Sequence, residues 1–300
     1  KPVELGTSVF AMDSAASDEA TIPNFDSGFP VDFAISRRPA SADSWMVGNR
    51  LMGTKFLYAE NTDEEATESD LVWDSNAGIY KDWPTTHMAW MWKRHKGFDI
   101  QRYTGKTGQQ SRVHGLNAVP EMIWAKSTNN AYEWAIGHKD LTGGWTSKHL
   151  RFTSSAEITG QQFALAPTST HWTTPNGALV NDNGEEYIAM LFASVDGISK
   201  VGSYTGTGNA LSVTTGFQPR FLFIKNASNG TGDSHWWVVD TTRGWASGDD
   251  NCLRLDTTNA ATTGANLGAP TSTGFDMPAN VGNSTAYNKS GDTYIYYAHA

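Results

Sequence analysis

The chain repeats itself at an interval close to one hundred residues, and a period of that length limits the possible architectures more than any local pattern does. Tyr103-Thr104-Gly105 returns as Tyr204-Thr205-Gly206, an offset of 101, and Pro120-Glu-Met-Ile-Trp-Ala-Lys126 returns as Pro219-Arg-Phe-Leu-Phe-Ile-Lys225, an offset of 99. Trp134 then answers Trp237, Gly144-Trp145 answers Gly244-Trp245, Leu150-Arg151-Phe152 answers Leu253-Arg254-Leu255, and Glu186 to Ala193 answers Thr293 to Ala300. A worn first copy precedes these two. Gly28-Phe29-Pro30 parallels Gly216-Phe217 with Pro219, Trp45-Met-Val-Gly48 parallels Trp134-Ala-Ile-Gly137, and His87 to Trp92 parallels Tyr187 to Phe192. Landmarks that keep their order while their offsets drift mark shared elements separated by loops of variable length. The period is too long for a solenoid, so the expectation is three compact units over 1–100, 101–200 and 201–300.

The apolar segments inside each copy have the length of strands. Phe29 to Ser36 reads as a buried strand joined through Arg37 to Asp43 to the neighbouring Trp45-Met-Val-Gly48. Glu121 to Lys126 and Tyr132 to Ile136 flank the turn-forming Ser127-Thr-Asn-Asn130, and Phe221 to Lys225 with His235 to Asp240 repeat that plan. Asn176-Gly177 and Asn183-Gly184 mark further turns. Few segments hold a helical period over three turns. The expected fold is all-β, as three tandem antiparallel β-sandwich, jelly-roll-like units. Pro120 and Pro219 should begin the same strand, because proline lacks a ladder donor and is tolerated at a first position. Trp134 and Trp237 should both face a core.

Glycine at 29 of 300 residues, 12% aromatics and only 18% charged residues suit an extracellular or virion-like β-protein. A net charge of −9 without a run of cations argues against nucleic acid as partner. Arg37-Arg38 and Lys93-Arg94-His95-Lys96 are the basic knots, read as strand-end or loop charges. The acidic stretch from Asp63 to Asp70 lacks the ligand spacing of a calcium loop and reads as a solvated loop, as does Ala15 to Glu19. Cys252 is alone, so no metal or cofactor site is expected from thiolates, and its leucine neighbours place it on a strand. No apolar run reaches the length of a membrane-spanning helix, so membrane insertion is not expected. The opening Lys1-Pro-Val-Glu has no initiator Met, as is expected of a processed chain or of part of a longer product.

No metalloprotease, nucleophile-elbow, phosphate-loop or dinucleotide signature is present. His138 and Lys139 in the second copy stand where the third has Asp240 and Thr241, a substitution that does not suit one shared catalytic centre. A pair of carboxylates for glycoside cleavage leaves no spacing behind, so that chemistry stays open. Trp145 and Trp245 each follow a glycine at a matched place. They read either as repeated packing aromatics or, together with Trp172, as platforms on which sugars stack.

The third copy carries Ser203-Tyr-Thr-Gly206, Gly216-Phe-Gln-Pro219, Trp237-Val-Val-Asp-Thr-Thr-Arg-Gly-Trp245 and Ser290-Gly-Asp-Thr-Tyr-Ile-Tyr-Tyr-Ala298. These motifs resemble a domain of unknown function, often in tandem, found in tail-fibre and other virion surface proteins of marine and cyanobacterial tailed bacteriophages. The resemblance is good over 200–300, fair over 101–199 and weak over 1–100, where no Arg-Gly-Trp is recognisable. It implies a virion location and a structural role, and it transfers no catalytic residue. The expected function is non-enzymatic assembly with copies of itself and other virion proteins; the alternatives are a glycan-binding receptor module for a host surface glycan and, third, a polysaccharide depolymerase. Strand edges left by such units would favour a homo-oligomer, with a trimer as the simplest case.

Overall fold

The computed structural model describes residues 5–15, 23–82 and 85–300. Residues 16–19 of the expected loop at Ala15 to Glu19 lie outside these, while Ala15 itself is buried. The described chain is nearly all strand, with one short helix at Ala178–Asn181 and three 3-10 turns.

Three large antiparallel sheets follow one another along the chain, and each is assembled in the same strand order. In the first sheet, Phe10–Ser14 lies beside Met88–Trp92, followed by Phe33–Arg37, Met46–Asn49, Lys55–Tyr58 and Ala66–Thr67. In the second, Phe98–Thr104 lies beside Glu186–Phe192, followed by Met122–Ser127 and Ala135–His138, with Leu150 bridged to Ile136. In the third, Ser199–Thr205 lies beside Thr293–His299, followed by Phe221–Asn226, Trp236–Asp240, Asp250–Arg254 and Thr262–Ala265. A smaller second layer covers the outer face each time, and its strands nest inside the first pair. Phe25–Asp26 pairs with Gly78–Ile79, Gln110–Val113 with His171–Thr174, and Leu211–Thr214 with Gly274–Met277. First-with-last and second-with-next-to-last pairing is the wrapped connectivity of a jelly roll.

The ladders fix residue equivalences. Ile35, Trp124 and Phe223 stand opposite Trp90, Met190 and Tyr297, and also opposite Val47, Ile136 and Val238. Pro120 and Pro219 each precede their strand by two residues, and the next backbone N–H, of Glu121 and Arg220, donates to Phe192 and His299 at 2.8 and 2.7 Å. The register corrects the alignment at two points. Trp134 is matched by Trp236, not Trp237, and Val31, not Pro30, takes the place of Pro120. Both Trp134 and Trp237 are buried, but alternate residues of a strand face opposite sides of the sheet. Trp134 therefore packs in the centre of the molecule and Trp237 under the outer layer of the third sheet.

The sandwiches are not three separate cores. Each sheet has an outer core of its own, around Phe25, Met46 and Trp73, around Ile123, Trp172 and Leu191, and around Leu222, Trp237 and Tyr296. Their inner faces share one central core, in which Phe33 contacts Phe98 and Trp124 of the second sheet at centroid distances of 5.4 and 6.4 Å. Trp124 meets Phe223 of the third at 5.5 Å, and Phe221 meets Phe10 of the first at 5.1 Å. Strands buried on both faces read as continuous apolar runs, which is why Met88–Trp92 and Thr293–His299 show so little alternation.

Polar groups close this arrangement into a ring. The equivalent Trp45, Trp134 and Trp236 donate their indole N–H groups to the carbonyls of Arg254, Tyr58 and Arg151 at 2.8, 2.9 and 2.8 Å, so that sheet one binds three, two binds one and three binds two. A backbone bond repeats across the same seams, from Glu65 to Thr128, Glu157 to Ala227 and Ala261 to Pro39, each at 2.7 Å. Beside them stand three equivalent, fully buried cations, Arg37, Lys126 and Lys225. Arg37 donates to the Thr258 and Asn259 carbonyls of the third sheet's unit, and Lys225 to Ser154 of the second's. The Tyr-Thr-Gly repeat has its own cause: a Cβ on Gly105 or Gly206 would collide with the carbonyl of Asp182 or Lys289.

Candidate functional site at the joints between sheets

At one end of the molecule the chain passes from each sheet to the next. Three equivalent bonds tie this end together, Lys93 N–H to Val9, Ala193 N–H to Gly97 and Ala300 N–H to Ile198, at 2.9, 2.9 and 2.8 Å. The first joint is the basic knot of Lys93, Arg94, His95 and Lys96. It is a fixed turn, because His95 and Phe98 exchange backbone bonds at 3.0 and 3.1 Å and Gly97 N–H donates to His95 Nδ1. Burial pushes the His95 imidazole down to about 4, with Lys93 adding to the effect.

A cleft of about 1050 Å³ opens here, lined by Ser8, Lys93, Arg94, Lys96, Asn117 and Asp196 over a floor that includes Phe98, Leu116 and Ile198. A smaller one of about 390 Å³ lies on the second unit between Pro120, Val119, Pro167 and one edge of Trp145, with the Glu121–Lys139 ion pair of 2.7 Å at its side.

The three tryptophans considered as sugar platforms are not surface aromatics. Trp172 is 1% exposed, its indole N–H held by Gln101 Oε1 at 2.8 Å, and Trp245 is 3% exposed against Phe275. Trp145 is 8% exposed and packs on Phe163 at 5.5 Å. None offers a free face on which a sugar ring could stack. Each fills the space between a large sheet and its outer layer, which accounts for the recurrence of Trp145 and Trp245. The glycines before them supply a left-handed backbone, with φ of 68° at Gly144 and 96° at Gly244.

Groups with catalytic character serve the frame. His235 Nδ1 lies 2.8 Å from Asp256, whose other oxygen accepts Trp236 N–H, and Glu60 occupies the same place in the first unit by accepting Trp45 N–H. Asp240 is buried, accepts Trp90 Nε1 from the first sheet and binds Arg243 through Nε and the backbone N–H. The Asp-Thr-Thr-Arg-Gly-Trp motif is therefore a capped turn welded to a neighbouring sheet. His138 and His299 are buried and pushed down to about 3 by desolvation. The acidic stretch is tied to lysines, Glu65 to Lys55 and Asp70 to Lys81, and among the described residues no cluster of His, Cys, Asp and Glu is placed to hold a metal. Cys252 lies on a strand in the third outer core, where burial raises its thiol to about 12.

The described residues form a nearly all-β, double-layered fold in which the Trp45, Trp134 and Trp236 indoles and the Arg37 and Lys225 side chains bond across the seams between sheets. Residues 54–300 match the family described as a domain of unknown function, DUF7483, and the chain belongs to that family. The matched span is a single stretch that crosses both joints. No curated protein matches the sequence.

Proposed function

We propose that the chain is a structural protein of a tailed-phage virion, displayed on the particle surface as part of a fibre, a decoration or an adaptor, and acting by assembly without turnover. The observation that carries this reading is the fate of its polar residues. At equivalent positions Trp45, Trp134 and Trp236, and likewise Arg37, Lys126 and Lys225, are committed to backbone carbonyls, most of them across seams. Residues that differ between the units, such as His138 and Asp240, are buried in the frame. An acidic exterior suits a solvated surface. Partners would be copies of itself and other particle proteins, met through the outer layers, because the inner sheet edges near Glu65, Glu157 and Ala261 already bond to the next unit.

The test is immunogold labelling of purified phage particles with antibody against the chain, alongside an assay for reducing ends released from host envelope polysaccharide. Surface labelling without release is expected. A chain absent from particles, or one that releases reducing ends steadily, would overturn the reading.

A further inference from the structure

We propose that the cleft at the joints binds an acidic glycan, a saccharide chain carrying carboxylate or sulfate groups. This goes beyond the assembly role and stands or falls without it. The first support is charge contrast. In a chain of net charge −9, Lys93, Arg94 and Lys96 put three cations within four residues on one wall of the cleft. Arg94 is already engaged: its N–H donates to Asp32 at 2.8 Å, Nη2 donates to the Ile100 carbonyl at 3.0 Å, and Nε lies 3.5 Å from Asp99. Asp99 is in turn held by Gly115 N–H at 3.0 Å. Lys93 and Lys96 line the cleft with no ion pair or side-chain hydrogen bond among the described residues, and of the two carboxylates that line it too, Asp99 is taken up by Arg94 and Gly115. Low-dielectric walls focus such a field on an arriving anion.

The second support is the rest of the lining. Asp196 would repel a bare polyanion, but a carboxylate and an amide, here Asp196 and Asn117, are suited to sugar hydroxyls. Val195, partly exposed at the rim, supplies apolar surface for the C–H face of a ring, above a floor of the buried Phe98, Leu116 and Ile198. The volume of about 1050 Å³ is at the upper end for small-ligand sites and exceeds the need of one monosaccharide. The bonds within the His95–Phe98 turn hold the backbone of Lys96, and the bond from Lys93 N–H to Val9 holds that of Lys93, before a ligand arrives, which lowers the ordering cost of binding.

The experiment is isothermal titration of the whole chain with polygalacturonate, heparin and neutral dextran over a range of salt. Two double variants are compared, Lys93→Gln with Lys96→Gln in the cleft and Lys106→Gln with Lys289→Gln away from it, which change net charge equally. Their melting curves are checked against the parent. We expect binding to at least one acidic polymer, none to dextran, and a loss of about tenfold or more in the cleft variant alone, the scale of one charged hydrogen bond. Which polymer binds separates carboxylate from sulfate recognition. Failure of both acidic polymers, equal binding of dextran, or equal losses in both variants would overturn the proposal.

Discussion

Asp240 and Lys225 show how individual residues set the energetics. The Asp240 carboxylate is 1% exposed and depends on Arg243, 2.7 Å away, and on the Trp90 indole. Arg243→Ala leaves a buried charge without its cation, so we expect a loss of about 3–5 kcal/mol in urea unfolding. A loss as small as that of an exposed ion pair would show that water reaches the carboxylate. Lys225 makes the opposite case, a buried cation with only carbonyl partners, and desolvation pushes it from 10.5 down to about 7. Between those values the unfolded chain binds the extra proton, so stability rises with pH from about 7 toward 10.5. The buried histidines add the same sign lower down, from about 3 to 6.5 for His138 and His299. Lys225→Met should flatten the alkaline part of a urea-midpoint against pH profile and leave the acid part unchanged. An unchanged alkaline slope would count against the assignment.

Strands and turns were where the sequence could be read furthest. The paired prolines, the Tyr-Thr-Gly repeat and the turn asparagines were visible because each answers a local need of the backbone, and local needs leave local letters. Gly206 is an example: with Lys289 O in the way of any Cβ, Gly206→Ala should cost about 2 kcal/mol or more, whereas Gly282→Ala, with open space around it, should change the melt little. Similar melts for the two would mean that the turn yields easily. Register was less legible. The doublet Trp236-Trp237 offers two aromatics one residue apart, and only the ladder shows that the second turns to the outer layer. Burial of Trp145, Trp172 and Trp245 was equally hidden, because a tryptophan under a thin second layer and one on a surface read alike. The cleft could not be found from spacing, since it is assembled from two joints, the Ser8 turn and a loop of the second unit. The signal present was the basic knot at Lys93 to Lys96, standing out in an acidic chain.

At the scale of the whole molecule, the repeat was legible and its consequence was not. Three copies suggest three independent domains, but each sheet has a second apolar face, and those faces meet in the core shared by Phe33, Trp124 and Phe223. No unit can expose that face to water without losing the burial that stabilises it. The seam tryptophans carry the coupling, so Trp236→Phe, which removes an indole donor and orphans the Arg151 carbonyl, should cost about 1–3 kcal/mol and lower the stability of the whole chain, not of one third of it. Coincident shifts of tryptophan fluorescence and far-ultraviolet dichroism would show this, and a shift in only part of the signal would contradict it.

The measurement that bears most directly on the shared core is scanning calorimetry of the intact chain at low scan rate. One transition is predicted, with its calorimetric enthalpy equal to the van't Hoff value, because three sheets that share an interior unfold together. Two or three separable transitions, each with a fraction of the enthalpy, would contradict the account and return the molecule to three units joined only by their linkers.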